Sequence, residues 1–241
     1  MNGGRIDKDH WLITKPVAHR GLWGGSVLEN SLTAYERAAR AGYPFEIDLY
    51  LSTDGVLYCF HDKTLDRMTG EKGNIFDKDS VYIDSLRLIG SDERIPRFTE
   101  VLELAEGRVP LLIELKDHTA PDFVEKAVKL LKNYKGEFAV QTFNPKYLIK
   151  VKKLAPEFIR GILATDDAKE ESLINQYILK HMSLNFIAKP DFISYRYPAL
   201  PLKMRKAKGM PTLGWTVTSQ EDATRLKSLG INIIFENFIP E

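Results

Sequence analysis

Short apolar segments alternate with amphipathic segments along the whole chain, and turn residues separate them. Eight of the apolar segments have the length and the β-branched and aromatic content of buried strands. The predicted strands are 16–19, 45–51, 109–115, 138–142, 158–163, 192–195, 212–218 and 231–235. Regular alternation of strands with helices is typical of parallel α/β folds.

The segments between these strands carry helical periodicity and residues that begin or end helices. Asn30 or Ser31 is the predicted N-cap of a helix that runs to Ala41, where Gly42 can end it. Pro121 begins a helix that runs to Asn133, at a position where proline is favoured. The remaining predicted helices are 99–105, 146–154, 170–184, 202–208 and 221–229.

Two features depart from the simple alternation. A turn signal at Thr53-Asp54-Gly55 predicts a hairpin, so that 56–60 returns as an additional short strand. Residues 63–95 lack sustained periodicity and are interpreted as an excursion over one end of the fold. The chain ends almost at the eighth strand, so a last helix is expected to be missing. Together the pattern predicts a single domain, 1–241, with the (β/α)₈ TIM-barrel fold and a small insertion after the second strand.

The bulk composition excludes several classes of protein. The chain has 241 residues, 44% of them hydrophobic and 28% charged, as in ordinary globular proteins. A net charge of +1 gives no reason to expect nucleic acid as a partner. Cys59 is the only cysteine, so an intrachain disulfide cannot form. The N-terminal segment lacks the apolar stretch of a signal peptide, and no apolar run approaches the ~20 residues of a membrane span. We expect a cytoplasmic protein without membrane insertion; its oligomeric state stays open.

The most informative residues are two carboxylates in the second predicted strand. Glu46 and Asp48 are two positions apart, so their side chains point to the same face of the strand, while Phe45, Ile47 and Leu49 line the other face. Adjacent anions on a buried face repel each other and lose hydration. They therefore need a cation, a shared proton or strong hydrogen-bond donors.

Other polar residues fall at the ends of predicted strands. In a (β/α)₈ barrel the active site forms where the carboxyl ends of the strands meet, so residues distant in sequence can converge there. The candidates are His19 after the first strand, His61 after the hairpin strand, Glu114 and Lys116 at the third, Gln141 at the fourth and Trp215 in the seventh.

These residue types together indicate cleavage of a phosphate ester. Three carboxylates suit a hard divalent cation, Mg²⁺ or Ca²⁺, with Mn²⁺ possible. The pKa of an unperturbed histidine, about 6.5, suits proton transfer near neutral pH. Arg20 and Lys116 add positive charge for a phosphate. Strand alternation would point Arg20 away from this face unless the backbone leaves the strand, which Gly21 allows.

The motifs of the chain, taken in order, resemble those of a known family. The resemblance is carried by His19-Arg20-Gly21, Glu29-Asn30-Ser31, Glu46-Ile47-Asp48, Asp54-Gly55, His61-Asp62, Leu65-Asp66-Arg67-Met68-Thr69-Gly70, Ile113-Glu114-Leu115-Lys116, Gln141-Thr142-Phe143 and Gly214-Trp215-Thr216-Val217. In this order the motifs resemble those of the glycerophosphodiester phosphodiesterase family, over nearly the whole chain. One departure is Phe235-Glu236-Asn237-Phe238, where the family commonly has a Thr-Asp pair before a proline.

The resemblance implies an activity and a set of roles. It implies hydrolysis of glycerophosphodiesters to sn-glycerol 3-phosphate and an alcohol, through a cyclic phosphate in the path usually drawn for the family. The implied roles are metal ligation by Glu46, Asp48 and Glu114, acid/base catalysis by His19 and His61, and substrate contact by Arg20, Lys116, Gln141, Phe143 and Trp215.

Several alternatives stay open from the residues alone. Glu46 and Asp48 could form buried ion pairs with Arg20 or Lys116 instead of holding a metal, although such pairs are costly. Segment 29–31 could be a helix cap and an anchor for Arg20 or a substrate contact, and Phe143 and Trp215 could be ordinary packing. Two other functions are a phospholipase D-type hydrolase of lysophospholipids and a catalytically silent barrel that binds phosphodiesters. Neither the leaving alcohol nor the choice between a cyclic phosphate and direct attack by water follows from the sequence.

Overall fold

The computed structural model describes residues 5–118, 120–169, 172–202, 207 and 209–241. Its strands are β1 (Val17–Ala18), β2 (Phe45–Leu51), β3 (Leu57–Cys59), β4 (Leu111–Leu115), β5 (Phe138–Thr142), β6 (Arg160–Ala164), β7 (Phe192–Arg196), β8 (Thr212–Val217) and β9 (Asn232–Phe235). Its α-helices are α1 (Trp11–Thr14), α2 (Leu32–Arg40), α3 (Asp66–Thr69), α4 (Ser80–Ser85), α5 (Phe98–Ala105), α6 (Phe123–Leu131), α7 (Pro145–Leu154), α8 (Leu173–His181), α9 (Asn185–Ala188) and α10 (Gln220–Ser228). Short 3₁₀ turns lie at Ile75–Asp77 and Tyr197–Ala199.

Strands β1, β2 and β4 to β9 alternate with helices along the chain, and β3 runs antiparallel to β2. These are the elements of a (β/α)₈ TIM barrel, so the predicted fold class is confirmed. The chain divides into two compact units, Arg20–Phe138 and Met1–His19 with Ala139–Glu241. The single-domain assignment stays a prediction.

In the unit Arg20–Phe138, β2 lies between β3 and β4. Every residue of β2 and β4 is buried, as expected for parallel strands covered on both faces. The hairpin predicted at Asp54 is present, since Gly55 has φ +89° and Ser52 N–H bonds to the carbonyl of Val56 at 2.9 Å. Helix α2 begins as predicted, because the Ser31 hydroxyl accepts a 3.1 Å hydrogen bond from Ala34 N–H.

The predicted excursion follows β3 and has its own apolar core. Leu65, Met68, Ile75, Ile83 and Leu88 are buried there against residues of β2 and β3. Helices α3 and α4 within it were not predicted, because each is shorter than the window in which helical periodicity can be recognised.

In the second unit the strands follow the order β1, β9, β8, β7, β6 and β5, and each of these strands pairs in parallel with the next. Buried Asn232 of β9 donates hydrogen bonds to the carbonyls of Leu12 and Lys15 at 3.0 and 2.7 Å, which ties α1 to the sheet. The predicted helix 202–208 falls largely outside the described residues, as do the first two residues of the helix predicted at 170–184. In the described segment 209–241 no helix follows β9. Among the helices that the structure describes, none combines the length and apolar character needed to cross a bilayer.

Candidate active site

Three buried carboxylates form the centre of the candidate site in the unit Arg20–Phe138. Parallel pairing of β2 with β4 sets Asp48 opposite Glu114, and Glu46 lies two residues before Asp48 on the same face. One oxygen from each of the three residues lies within 4.8 Å of the others. Glu46, Asp48 and Glu114 are 2, 1 and 7% exposed. The structure therefore brings together the three carboxylates that the sequence predicted as metal ligands.

Arg20 reaches this cluster because the backbone leaves the strand after Ala18. Arg20 and Gly21 have φ values of +56° and +83°. A Cβ at Gly21 would lie 2.7 Å from the carbonyl carbon of Ala34, so this turn requires glycine. The turn points the Arg20 N–H at Glu46 Oε2, at 3.1 Å. The backbone thus leaves the strand before Arg20, which is the condition under which Arg20 can reach this face.

The Arg20 side chain is held by carboxylates but keeps one unused donor. Its Nη1 donates a 2.9 Å hydrogen bond to Glu29 Oε1. Its Nε lies 3.5 Å from Asp48 Oδ2, and this buried nitrogen donates no hydrogen bond to the described residues. A guanidinium fixed in this way offers a donor to an anion at the carboxylate cluster.

Lys116 supplies a second cation directly after β4. Its Nζ lies 2.9 Å from Glu114 Oε1 and 3.3 Å from Asp48 Oδ1. Burial works against the charge of this ammonium, but Glu114 and Asp48 outweigh it and raise the pKa of Lys116 above its usual value. Lys116 is therefore charged throughout the physiological range.

The two carboxylates of β2 differ in their electrostatic surroundings. Burial, together with the negative charges of Asp48 and Glu114, raises the pKa of Glu46 well above its usual value. Burial opposes ionisation of Asp48 as well, but nearby positive charge, Lys116 foremost, outweighs it and lowers the pKa of Asp48. The cluster therefore holds more acidic groups than the surrounding positive charge can keep ionised.

This arrangement fits a divalent cation. Asp48 Oδ1 is buried and accepts no hydrogen bond from the described residues, although Lys116 Nζ is near. Three converging carboxylates are the oxygen donor set that a hard cation prefers. A divalent ion would also supply the positive charge that allows Glu46 to ionise.

Asn30 supports the cluster from the segment before α2. Its Nδ2 donates a 3.0 Å hydrogen bond to Asp48 Oδ2, and its Oδ1 accepts a 2.6 Å hydrogen bond from the Tyr35 hydroxyl. Of the alternatives for segment 29–31, the structure has Ser31 as the helix cap and Glu29 as the anchor of Arg20. The hydrogen bond from Asn30 to Asp48 was not predicted.

His61 follows β3 and its ring is held by its neighbour in sequence. His61 Nδ1 lies 2.7 Å from Asp62 Oδ1, and Arg67 contacts both oxygens of the same carboxylate. The hydrogen bond with His61 is the largest cause that lowers the pKa of Asp62 below its usual value, and Arg67 adds to it. Asp62 therefore stays ionised and can accept a hydrogen bond from the imidazole N–H.

The remaining predicted residues lie in the second unit. His19 Nδ1 lies 2.6 Å from Glu236 Oε2, directly after β9. Gln141 is buried and accepts a 2.7 Å hydrogen bond from Ser194. The rings of Phe143 and Trp215 meet edge to face at 5.7 Å. The partner of His19 was not predicted, although a carboxylate directly after the last strand is a signal that could have indicated it.

Comparison with known proteins agrees with this geometry. Residues 19–241 match the model of the glycerophosphoryl diester phosphodiesterase family. The chain belongs to this family. It is therefore an enzyme of the phosphodiesterase class, as the sequence motifs indicated.

Similar members of the phosphodiesterase family come from several bacteria. A glycerophosphodiester phosphodiesterase of Caldanaerobacter subterraneus subsp. tengcongensis is 31% identical over 91% of this chain and 92% of its own length. One from Bacillus subtilis is 27% identical over 92% of this chain and 83% of its own. This chain therefore spans most of the length of both relatives.

Solved phosphodiesterase structures share the fold. A phosphodiesterase of Oleispira antarctica, in complex with the product sn-glycerol-3-phosphate, has a TM-score of 0.78 at 23% identity, over 92% of both chains. The enzyme from Thermotoga maritima has a TM-score of 0.71 at 23% identity, over 92% of this chain and 94% of its own. Both likenesses support the barrel fold of this phosphodiesterase.

Proposed function

We propose that this enzyme hydrolyses glycerophosphodiesters to sn-glycerol 3-phosphate and an alcohol. One observation carries the proposal, namely the buried cluster of Glu46, Asp48 and Glu114, with Arg20 and Lys116 beside it, in a chain of the phosphodiesterase family. The names of its relatives support the same substrate class.

Glu46, Asp48 and Glu114 are the proposed ligands of a divalent cation, Mg²⁺ or Ca²⁺, with Mn²⁺ as a third candidate. The fit of this donor set rests on its three converging oxygens and on the buried Asp48 oxygen that accepts no hydrogen bond. When bound, the ion would act as a Lewis acid that neutralises charge on the phosphoryl oxygens. Lys116 and Asn30 orient Asp48 for this role, because Lys116 lies beside Oδ1 and Asn30 donates a hydrogen bond to Oδ2.

Arg20 and Lys116 are the proposed phosphate-contacting cations. The unused Nε–H of Arg20 supports this assignment, because a buried guanidinium nitrogen without an acceptor is costly and a phosphate oxygen would satisfy it. Both cations are held in place by carboxylates, so little conformational freedom is lost when an anion binds.

His19 and His61 are the proposed general acid and base. Each imidazole has a carboxylate at Nδ1, Glu236 for His19 and Asp62 for His61. This pairing favours the tautomer that carries its proton on Nδ1 and assigns proton exchange with the substrate to Nε2. One histidine would take a proton from the attacking oxygen, and the other would give a proton to the departing alcohol oxygen.

The same residues serve two paths. Either the glycerol 2-hydroxyl attacks phosphorus and a cyclic phosphate is opened by water, or water attacks directly. Gln141, Phe143 and Trp215 are proposed substrate contacts, with the two aromatic rings as an apolar wall for the glycerol carbons. The indole N–H of Trp215 is buried and donates to no described residue, which supports a polar contact with substrate.

The experiment is a panel of glycerophosphodiesters assayed with Mg²⁺, Ca²⁺ and Mn²⁺, with sn-glycerol 3-phosphate as the detected product. Release of this product from glycerophosphocholine or glycerophosphoethanolamine is expected. His19→Ala and His61→Ala should each lower kcat by roughly 10²–10⁴-fold with the fold retained. Absence of product with every metal would reject the proposal in favour of a silent phosphodiester-binding barrel.

Lysophosphatidylcholine in the same assay distinguishes the proposed reaction from the phospholipase D-type alternative. An acyl chain needs an apolar entry, yet in the excursion Ile75 is buried and Phe76 and Tyr82 pack against the local core. Two large apolar side chains of the described excursion are exposed, Val81 at 78% and Ile89 at 53%, which is little apolar surface for an acyl chain. Glycerophosphocholine is therefore expected to be the better substrate, and a preference for lysophosphatidylcholine would favour the phospholipase D-type reaction.

A further inference from the structure

Arg67, on the short helix α3 of the excursion, contacts two carboxylates from different parts of the chain. Its Nε lies 2.6 Å from Asp62 Oδ2 and its Nη2 lies 3.0 Å from Asp62 Oδ1. The same Nη2 lies 2.5 Å from Glu29 Oε1. The guanidinium thus forms a two-point contact with Asp62 and a bridge to Glu29.

Each of these carboxylates also contacts a residue of the proposed mechanism. Asp62 Oδ1 is the oxygen that pairs with His61 Nδ1 at 2.7 Å. Glu29 Oε1 is the oxygen that pairs with Arg20 Nη1 at 2.9 Å. Arg67 therefore shares both of its carboxylate partners with residues of the candidate active site.

We propose that Arg67, anchored on Glu29, is a positioning residue that fixes the Asp62 carboxylate and, through it, the ring of His61. This inference rests on the proposed function, in which His61 exchanges a proton with the substrate. Neither the metal nor the phosphate is needed for the contacts that carry it.

Arg67 can fix the orientation of Asp62 because it adds two hydrogen bonds to the one that Asp62 makes with His61. A carboxylate bound by His61 alone could rotate about its side-chain bonds and carry the imidazole with it. The guanidinium fork fixes the carboxylate plane, because two parallel N–H donors meet its two oxygens. Glu29, 8% exposed, accepts a further hydrogen bond from the same Nη2 and anchors the guanidinium. A lysine could supply the charge at position 67 but could not form this fork.

A plain surface ion pair is the competing explanation, since the Arg67 side chain is 49% exposed. Such exposed pairs contribute little to stability. A matched control is Arg97, directly before α5, whose guanidinium also contacts both oxygens of one carboxylate, Asp84, and whose side chain is 40% exposed. Asp84 pairs with the Tyr58 hydroxyl rather than with a histidine.

The first test compares the kinetics of Arg67→Ala, Arg67→Lys and Arg97→Ala on glycerophosphocholine. Arg67→Ala is expected to lower kcat by about tenfold or more, with guanidinium ion in the buffer restoring part of the loss. Arg67→Lys should recover less than guanidinium does, and Arg97→Ala should keep kcat within about twofold of the wild type. Equal kcat values for Arg67→Ala and Arg97→Ala would overturn the inference.

The second test places Arg67→Ala in a His61→Ala background. If Arg67 acts through His61, its removal should add no further loss of kcat there. An equal loss in both backgrounds would assign Arg67 a general structural role and overturn the inference.

The third test does not use activity, so it separates this inference from the proposed function. Long-range ¹H–¹⁵N NMR of the imidazoles, with His61 assigned from the His61→Ala spectrum, should show one Nδ1–H tautomer in the wild type and in Arg97→Ala. Averaging between tautomers is expected in Arg67→Ala. An unchanged His61 ring in Arg67→Ala would overturn the inference. Full turnover in His61→Ala would instead reject the proposed role of His61.

Discussion

Asn30 and Asp48 are joined by a 3.0 Å hydrogen bond in which the amide Nδ2 donates to Oδ2 of the carboxylate. Asn30 has φ +52°, a region that asparagine tolerates better than most residues, and its Oδ1 is fixed by the Tyr35 hydroxyl. This bond occupies one oxygen of Asp48, and the other oxygen, Oδ1, accepts no hydrogen bond from the described residues. Asn30 thereby orients Asp48, a proposed metal ligand.

The contact between Asn30 and Asp48 gives the first prediction. Asn30→Asp keeps the size and the backbone preference of the side chain but replaces the donor by a second anion. We expect a loss of about 10- to 100-fold in kcat or in metal affinity, measured by steady-state kinetics across a metal titration. Tyr35→Phe is the control, since it removes the hydrogen bond to Asn30 Oδ1 but keeps the amide donor to Asp48. It should cost about 1 kcal/mol of unfolding free energy. Wild-type metal dependence in Asn30→Asp would contradict this part of the account.

The turn after β1 gives the second prediction. Gly21→Ala places a Cβ against the backbone of Ala34 at a φ of +83°, whereas Gly25→Ala, at φ +64°, meets nothing within 4 Å. The left-handed backbone alone costs about 1–2 kcal/mol in both variants. Gly21→Ala should lose more unfolding free energy than Gly25→Ala in urea denaturation, and it should lose activity because Arg20 is displaced. Equal stabilities would show that the close approach at Ala34 relaxes without cost.

The hairpin aspartate gives a prediction about pH. Hydrogen bonds from the hydroxyls of Ser52 and Ser80 lower the pKa of Asp54 from 3.8 to about 2. Because the folded-state pKa is the lower one, the stabilisation is fully present above pH 3.8 and is lost as the pH falls through about 2. Asp54→Asn should therefore cost about 1 kcal/mol near neutral pH, a modest value because the site is exposed. The difference from the wild type should shrink between these two pH values, and a difference independent of pH would contradict the assignment.

Metal binding should raise the thermal stability of the protein in the absence of substrate. An ion that binds only the folded state at about 100 times its Kd adds about 2.7 kcal/mol to the unfolding free energy. For a chain of this size we expect Tm to rise by roughly 5–10 °C, measured by thermal denaturation with Mg²⁺, Ca²⁺ or Mn²⁺. Glu114→Gln should lose most of this shift. Glu103→Gln, an exposed carboxylate on α5, should keep it; a shift of the same size in both variants would place the ion elsewhere.

The carboxylate cluster could be predicted because its causes are local or topological. Spacing in β2 puts Glu46 and Asp48 on one face, and the parallel order of strands brings Glu114 beside them. Gly21 in turn signalled that the backbone leaves β1 before Arg20. These inferences need only the alternation of side chains between the two faces of a strand and the rule that sites form at the carboxyl ends of barrel strands.

The partner of His19 and the contact between Arg67 and Glu29 could not be predicted in the same way. Arg67 and Glu29 are 38 residues apart, and His19 and Glu236 are 217 apart. Neither pair follows a periodic pattern, because the geometry of the excursion and of the chain after β9 determines which charges meet. Helix α3 is also too short to give a recognisable period, so no sequence pattern indicates a role for Arg67.

The central claim is that the three buried carboxylates hold a divalent cation that hydrolysis requires. The most direct measurement is the rate of sn-glycerol 3-phosphate release from glycerophosphocholine, before and after treatment with a chelator and again after Mg²⁺, Ca²⁺ or Mn²⁺ is restored. The account predicts that chelation abolishes turnover, that at least one ion restores it in the wild type, and that Glu46→Gln needs a much higher ion concentration. Turnover that is insensitive to the chelator would contradict it.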